Sequence, residues 1–163
     1  MNYSYRKFKK TDFNEIFKIF LKFQEAIKIE TFYNLTKDQS DNFTNIFLMS
    51  ELKKLVSKNQ TYVGLCEGEI FGFACFSESV YRSDGIDLQI VCKDPKKPFS
   101  FKMKALLLEV FKEAKKDFKK SIVLCALGPR FKFDSYKSFV IRIFKPKIIK
   151  KSHFNKTIIM FND

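Results

Sequence analysis

Hydrophobic residues recur along this chain with two different periods, and the period changes several times between its ends. A period of two indicates a β-strand with one buried face, whereas recurrence every three or four residues indicates an amphipathic helix. The first pattern predicts strands at residues 3–8, 60–66, 70–77, 86–92, 121–127, 147–151 and 157–161. The second predicts helices that begin near residue 12 and after residue 41, and helices over residues 101–118 and 134–144.

The first two predicted helices each have an apolar inner face, and the first also has a start signal. Asp12 and Glu15 have the spacing of a capping box, which predicts that the first helix begins there. The predicted buried stripe of this helix consists of Phe13, Ile16, Phe17, Phe20, Phe23 and Ile27. In the second helix the predicted inner side consists of Phe43, Ile46, Phe47 and Leu55.

The clearest turn signal lies between the strand-like stretches 60–66 and 70–77. Only Glu67, Gly68 and Glu69 separate them, and a glycine in so short a link is typical of a tight hairpin. Together with the stretch that follows, residues 60–93 are predicted to form three consecutive antiparallel strands.

A loop rich in lysine and proline joins the strand at 86–92 to the helix at 101–118. Ser100 is suited to cap this helix, so the free backbone N–H groups of its first turn should point into the loop. A helix start attracts anions. Four lysines surround this one, namely Lys96, Lys97, Lys102 and Lys104. The segment is therefore predicted to bind an anionic group.

The composition fits one domain without a membrane span. Of its 163 residues 45% are hydrophobic, which suffices for one buried core, and we predict a single domain over residues 1–163. The chain start lacks the apolar run of a signal peptide and no stretch is apolar enough to span a bilayer, which predicts a cytoplasmic protein. No metal site is predicted, because the cysteines lie far apart in apolar runs. They are Cys66, Cys75, Cys92 and Cys125.

The chain is strongly basic, with 31 Lys and Arg against 18 Asp and Glu and a formal net charge of +13. Such a charge can indicate a nucleic-acid or membrane-surface partner. Here Lys, Phe, Ile and Asn are enriched together, as an A/T-rich genome would produce, and the lysines are spread along the chain. We therefore expect neither nucleic acid nor a membrane as the partner.

The element order predicts an α/β protein with a mixed sheet of about seven strands flanked by about four helices. This order resembles that of the GNAT superfamily of acyl-CoA-dependent N-acetyltransferases over essentially the whole chain. Residues 5–7 followed by 11–16 look like the opening of that family. Lys93-Asp94-Pro95 matches its Val-x-Pro and Ala105-Leu106-Leu107 its helix start, whereas Pro98, Phe101 and Met103 stand where its loop has an arginine and two glycines.

The resemblance implies an acetyl-CoA or other acyl-CoA site at the central strand, loop and helix. In the family the sheet strands splay there, and the cofactor's pantetheine arm adds backbone hydrogen bonds like an extra strand. The missing glycines matter because a pyrophosphate must approach the backbone closely, so a phenylalanine at that point either blocks the approach or turns aside. The implied cofactor-binding residues are Ile90, Val91, Cys92, Lys97, Ser100, Phe101, Lys102, Met103 and Lys104.

The resemblance also implies catalytic residues. Asp87 matches the place of a carboxylate that deprotonates the amine, but it also fits a solvent-facing strand residue beside Gln89. The family's tyrosine, which protonates the departing thiolate, falls at Phe139. Tyr136, one helical turn earlier, is the candidate acid, or alternatively a partly buried aromatic residue. The predicted substrate-binding residues are Phe32, Tyr33 and Glu78, and Glu78, at the end of the preceding strand, is also a candidate for the base.

Two functions of different classes follow from these residues. The first is transfer of an acetyl or acyl group from acyl-CoA to a small-molecule or peptide amine. The second is a catalytically inactive, GNAT-shaped binding protein, which the residues at the loop-glycine and tyrosine positions favour. The sequence leaves the oligomeric state open, with a dimer as one option.

Overall fold

The computed structural model describes residues 2–26, 37–127, 144–151 and 157–161. Its strands are β1 (Tyr3–Lys7), β2 (Gln60–Cys66), β3 (Glu69–Glu78), β4 (Gly85–Lys93), β5 (Ile122–Leu127), β6 (Lys147–Lys151) and β7 (Thr157–Phe161). Its helices are α1 (Phe13–Ala26), α2 (Lys37–Lys58) and α3 (Phe101–Phe118), and a short 3₁₀ turn (Lys10–Asp12) precedes α1. None of these helices is long and apolar enough to cross a membrane.

The seven strands form one mixed sheet in the order β1-β2-β3-β4-β5-β7-β6. The pairs β1/β2, β5/β7 and β6/β7 are antiparallel, and β4/β5 is parallel. The predicted α/β class and mixed sheet are thereby confirmed. Three α-helices lie in the described ranges, against about four predicted; of the helix predicted over 134–144, only Phe144 lies in these ranges, and it is helical.

The chain forms two compact units. The first contains Met1–Cys75 and Val91–Phe99, and the second contains Phe76–Ile90 and Ser100–Asp163. The single domain expected over residues 1–163 stays a prediction.

In the first unit the hairpin between β2 and β3 turns at Glu67 and Gly68, as the position of the glycine indicated. Glu67 and Gly68 both have positive φ, 52° and 85°, as a two-residue turn between twisted strands requires. The resulting β2–β3 pair carries Tyr62 and Val63 in the core, and the sheet order confirms β2, β3 and β4 as consecutive neighbours.

The helices of the first unit bury a narrower stripe than the sequence predicted. Ile16 and Phe20 of α1 are buried as predicted, while Phe13, Phe17 and Phe23 are only half-buried. In α2 the predicted inner side is wrong, because Ile46 and Phe47 are 72% and 53% exposed and Leu52 is the buried residue. Leu55 is half-buried, and Phe43 lies where side chains are not described.

In the second unit α3 buries one face and presents lysines on the other. Met103, Val110, Phe111 and Ala114 are its buried residues. The ring of Phe111 lies 5.9 Å from that of Phe76 and 5.0 Å from that of Phe161, so α3 packs on the face of the sheet to which Phe76 points. Burial of one such ring contributes about 1.5–3 kcal/mol to folding.

Candidate active site

The parallel pairing of β4 and β5 is short. Its register joins Gly85 to Ile122, Ile86 to Val123 and Asp87 to Leu124, and it extends no further within the described residues. Both strands nevertheless continue, β4 to Lys93 and β5 to Leu127. From Leu88 onward β4 therefore has backbone N–H and C=O groups that do not pair with β5.

Asp87 is the last β4 residue of that pairing and has an unusual environment. Its side chain is only 4% exposed, and Oδ2 accepts a 3.2 Å hydrogen bond from the backbone N–H of Val80. Oδ1 is buried and has no hydrogen-bond partner in the structure, the single such side-chain atom among the described residues. A buried acceptor without a partner costs about 1–3 kcal/mol, more if it is charged. The site therefore favours a ligand that can donate to Oδ1.

Two polar residues share the sheet face of Asp87. The backbone N–H of Ser79 donates to the carbonyl of Gly85 at 3.1 Å, which sets β3 and β4 antiparallel and places Ser77 opposite Asp87. Gln89 lies two residues further along β4 and donates from Nε2 to Ser77 Oγ at 2.8 Å. Because side chains alternate along a strand, Asp87, Gln89 and Ser77 form one row, which we call the acceptor row.

The opposite face of the same strands carries the apolar packing. Ile86, which is fully buried, and its partner Val123 point to the α3 side. A shallow pocket of about 170 Å³ opens there between α3, β5 and β7. Its polar rim is the ion pair of Lys112 with Glu109 at 2.9 Å, and no side chain of the acceptor row lines it. The pocket is therefore separate from Asp87.

The start of α3 has the predicted cap. Ser100 has an extended backbone, and its Oγ accepts a 3.2 Å hydrogen bond from the N–H of Met103. Phe101 is 88% exposed, whereas Met103 is 4% exposed and belongs to the core. The phenylalanine at the glycine-like position thus turns aside into solvent, and the methionine turns inward. Neither side chain closes the helix start to an anionic group.

Lys104 is the basic side chain best held at this helix start. Its Nζ lies 5.9 Å from the ring centre of Phe101 and 5.8 Å from that of Phe144. Two aromatic faces at this distance attract a cation and restrict its position. Lys102 of the same turn is exposed. The donor chemistry here, a capped helix start with two lysines, suits a phosphate group.

In the first unit the turn after β4 uses its own hydrogen-bond donors. The N–H of Asp94 donates to Phe71 O at 2.7 Å, that of Lys97 to Asp94 O at 3.0 Å, and that of Lys96 to Asp94 Oδ1 at 3.0 Å. Lys93 Nζ donates to the carbonyls of Asp94 and Lys97, and burial lowers its pKa. The turn thus uses these backbone N–H groups for its own hydrogen bonds.

The described cysteines are unsuited to nucleophilic chemistry. All four are free thiols. Burial raises the pKa of Cys75 and of Cys125 to about 12, with the Asp87 charge adding to the effect at Cys125. Burial also raises the pKa of Cys92 well above its ordinary value. Within the described ranges, no group of His, Cys, Asp and Glu side chains could hold a metal ion.

The predicted cofactor residues divide between the two units. Ile90, Ser100, Phe101, Lys102, Met103 and Lys104 belong to the second unit, and Val91, Cys92 and Lys97 to the first. The second unit contains both the capped helix start and, on β4, residues 88–90 of the segment that leaves β5. Cys92 is buried at 2% exposure, so its side chain is part of a core and only its backbone could serve a ligand.

Of the other predicted site residues, the structure places two. Asp87 is buried rather than solvent-facing, so the solvent-facing alternative is wrong. Glu78 is exposed and follows Ser77 on β3, so it lies on the opposite face from Asp87 and does not join the acceptor row. Phe32, Tyr33, Tyr136 and Phe139 lie outside the described residues. Ser77 was missed, although the alternation of β3 places it on the face of Asp87.

Comparison with known proteins decides the fold. No family model matches the chain, and no curated protein sequence matches it. Solved structures do. A PaiA N-acetyltransferase from Thermoplasma acidophilum in complex with coenzyme A has a TM-score of 0.68 at 14% identity, over 100% of both chains. The chain has the GNAT fold.

Two further structures with the GNAT fold agree with this. An acetyltransferase of the GNAT family from Staphylococcus aureus has a TM-score of 0.64 at 15% identity and covers 99% of both chains. A ribosomal-protein alanine acetyltransferase from Vibrio fischeri has a TM-score of 0.61 at 14% identity, over 100% of this chain and 94% of its own. The short β4–β5 pairing lies where the resemblance to the GNAT fold predicted that the strands splay.

Proposed function

We propose that the protein is a cytoplasmic N-acyltransferase that moves an acetyl or acyl group from acyl-CoA to an amine, with Asp87 as the base. The observation that carries this proposal is the buried Oδ1 of Asp87, which has no hydrogen-bond partner beside the point where β4 and β5 separate. The GNAT fold supports it, because structures with coenzyme A bound share that fold.

The chain's own residues supply binding and positioning. Backbone groups of β4 beyond Asp87 are available to pair with an extended arm, and the start of α3 with Lys102 and Lys104 suits the phosphates. Bound acyl-CoA supplies the activated acyl group and a thiolate leaving group. Holding the amine against that group in a fixed orientation is the main source of rate.

The reaction step at Asp87 is a proton transfer. The amine nitrogen forms a bond to the acyl carbon while the carbon–sulfur bond breaks, and the nitrogen's proton moves to Asp87 Oδ1. A positioned base contributes about a hundredfold to ten-thousandfold in rate. The thiolate takes up a proton, and Tyr136 is the candidate donor.

A second candidate function, a binding protein without turnover, is favoured by one observation. The 94–97 turn uses its N–H groups at Asp94, Lys96 and Lys97 internally, so they do not cradle a pyrophosphate. In this case the same fold would bind an anionic or aromatic partner without transferring a group.

Coenzyme A itself separates these functions. At about a hundred times its dissociation constant, a ligand that binds only the folded protein adds about 2.7 kcal/mol of stability. We expect acetyl-CoA and coenzyme A to raise the unfolding midpoint, and acetyl-CoA to be consumed when an amine panel is added. Stabilisation without consumption would favour the binding protein, and no stabilisation by either ligand would contradict the acyltransferase.

The matched variant at the helix start is Lys104→Met. It keeps the aliphatic stem between the two rings but removes the charge, so the stabilisation by coenzyme A should fall. Lys112→Met removes a charge from the same helix, where Lys112 forms an ion pair with Glu109 at 2.9 Å, and serves as the control. Equal responses of the two variants would contradict a phosphate role for Lys104.

A further inference from the structure

We propose that the acceptor row selects the amine substrate, and that it favours a primary amine with a second hydrogen-bond donor at the far end of a short chain. Asp87 Oδ1 would accept a hydrogen bond from the reacting nitrogen. Gln89 Oε1 would accept one from the second donor. This inference rests on the proposed function, because it assigns the reacting amine to Asp87.

The orientation of the Gln89 amide follows from its neighbours. Ser77 Oγ donates its proton to the backbone carbonyl of Glu78 at 3.2 Å, so its oxygen accepts from Gln89 Nε2. With Nε2 committed to Ser77, Oε1 of Gln89 points away as an acceptor. Gln89 is an exposed side chain, held in place by this one bond.

The two acceptors differ in depth, and this defines a direction of entry. Gln89 is exposed, Ser77 is half-buried, and Asp87 is buried at 4% exposure. A ligand that binds along the row from the side of Gln89 would place its leading end at Asp87 and its far end at Gln89. Residues two apart on a strand are separated by roughly 7 Å, which is close to the length of an extended four-carbon chain with a polar atom at each end.

The chemistry of the row disfavours one substrate class. Asp87 and Gln89 offer acceptors, and the hydroxyl proton of Ser77 is already used. A carboxylate at the far end of the substrate would meet the oxygen of Gln89, and the one donor left to it is the Nε2 hydrogen that Gln89 does not donate to Ser77. The row therefore favours amino alcohols and diamines over amino acids with a carboxylate at that distance.

The test is calorimetric binding of two ligands of equal size and charge, with and without saturating coenzyme A. The ligands are 4-amino-1-butanol and n-pentylamine, which differ only in a terminal hydroxyl against a methyl. One neutral hydrogen bond corresponds to roughly a fivefold to tenfold difference in dissociation constant, in favour of the amino alcohol. 1,4-Diaminobutane shows whether a terminal ammonium is preferred to a hydroxyl.

Variants separate recognition from a merely structural role. Gln89→Leu should bring the ratio of the two dissociation constants to about one. Ser77→Ala should reduce it partly, because Gln89 loses its anchor, and Ser77→Thr should restore it. Ser57→Ala is the matched control, since Ser57 on α2 also donates from its hydroxyl to a backbone carbonyl, that of Lys54.

Each outcome of the binding experiment supports or overturns the inference about the acceptor row. A hydroxyl preference that Gln89→Leu removes supports the inference. Equal binding of the two amines, a preference that survives Gln89→Leu, or no binding of either amine overturns it. If coenzyme A does not bind but the Gln89-dependent preference persists without it, the acyltransferase proposal fails and the acceptor row stands as an amine-binding site.

Discussion

Two buried aspartates, one in each unit, have opposite surroundings. Asp12 is 6% exposed, and each of its oxygens accepts a hydrogen bond from Arg6, at 2.6 and 2.8 Å. The N–H of Lys9 adds a third at 2.8 Å. Asp87 is 4% exposed and accepts one hydrogen bond, from Val80, on one oxygen. At a similar degree of burial, both carboxylate oxygens of Asp12 therefore accept hydrogen bonds, whereas Oδ1 of Asp87 accepts none.

This difference in hydrogen bonding distinguishes a carboxylate that stabilises the fold from one that is suited to bind a ligand or transfer a proton. Asp12 ties the end of β1 to the turn before α1, and its bidentate pair with Arg6 leaves no oxygen without a partner. Asp87 retains an acceptor for which the described chain provides no donor. A fold tolerates such an unpaired group chiefly where a ligand or reaction uses it, at some cost in stability.

The largest expected effect is on catalysis at Asp87. Asp87→Asn removes the base and should lower acetyl transfer by about a hundredfold to ten-thousandfold, measured as kcat with saturating acetyl-CoA. Its unfolding midpoint should stay the same or rise, because no ion pair is lost. Asp84→Asn, at an exposed carboxylate paired with Arg82, is the control. A strong loss of stability without loss of rate would assign Asp87 to the structural class.

The next effect is on stability at Asp12. Asp12→Asn leaves the Arg6 guanidinium without its counter-charge, and we expect a loss of about 2 kcal/mol, less than for a fully buried pair because Arg6 is 34% exposed. In a protein of this size that corresponds to roughly 4–8 °C in the unfolding midpoint. Urea unfolding at neutral pH measures it. An unchanged midpoint would contradict the structural role.

The same pair predicts a pH dependence of folding. The hydrogen bond from Arg6 lowers the pKa of Asp12. Its contribution is therefore complete above the unfolded value of about 3.9 and is lost as the pH falls through the lower folded pKa. The stability difference between the parent and Asp12→Asn should shrink below about pH 4. A difference that is constant from neutral to acid pH would show that the charge of Asp12 is not involved.

The smallest expected effect is the loss of stability when the two-point geometry of the Arg6–Asp12 pair is removed. Arg6→Lys keeps the positive charge but replaces a planar two-point donor by one ammonium, so about 1 kcal/mol should be lost. Arg6→Met should lose more, because it removes the charge as well. Equal losses for both variants, measured by urea unfolding, would mean that the bidentate geometry carries the whole contribution.

The sequence predicted most of the fold because short-range patterns dictate most of it. The Glu67–Gly68 turn, the Ser100 cap and the run from Phe101 to Phe118 all depend on neighbours within a few residues. The inner face of α2 was mispredicted, because Ile46 and Phe47 satisfy helical spacing as well as Leu52 does. Which stripe of a helix is buried depends on what packs against it, and spacing alone does not contain that information.

The sequence named residues of the candidate site but not the surroundings of those residues. Asp87 was named because it matches a carboxylate position of the GNAT family, whereas its burial and its oxygen without a partner depend on residues brought together by the fold. The capping box expected of Asp12 and Glu15 shows the same limit. Asp12 instead pairs with Arg6, and Glu15 forms an ion pair with Lys18 at 2.8 Å, because a partner across a turn competes with one along the helix.

β6, one of the two outermost strands of the described sheet, has a sequence that discourages aggregation. β6 consists of Lys147-Ile148-Ile149-Lys150-Lys151, and its register with β7 shifts between Ile148 and Lys150. Lysines and an irregular register on an edge strand prevent a second chain from adding to the sheet. Part of the excess positive charge of this chain thus lies on an edge strand, where lysine disfavours pairing with another chain whether or not a ligand binds elsewhere.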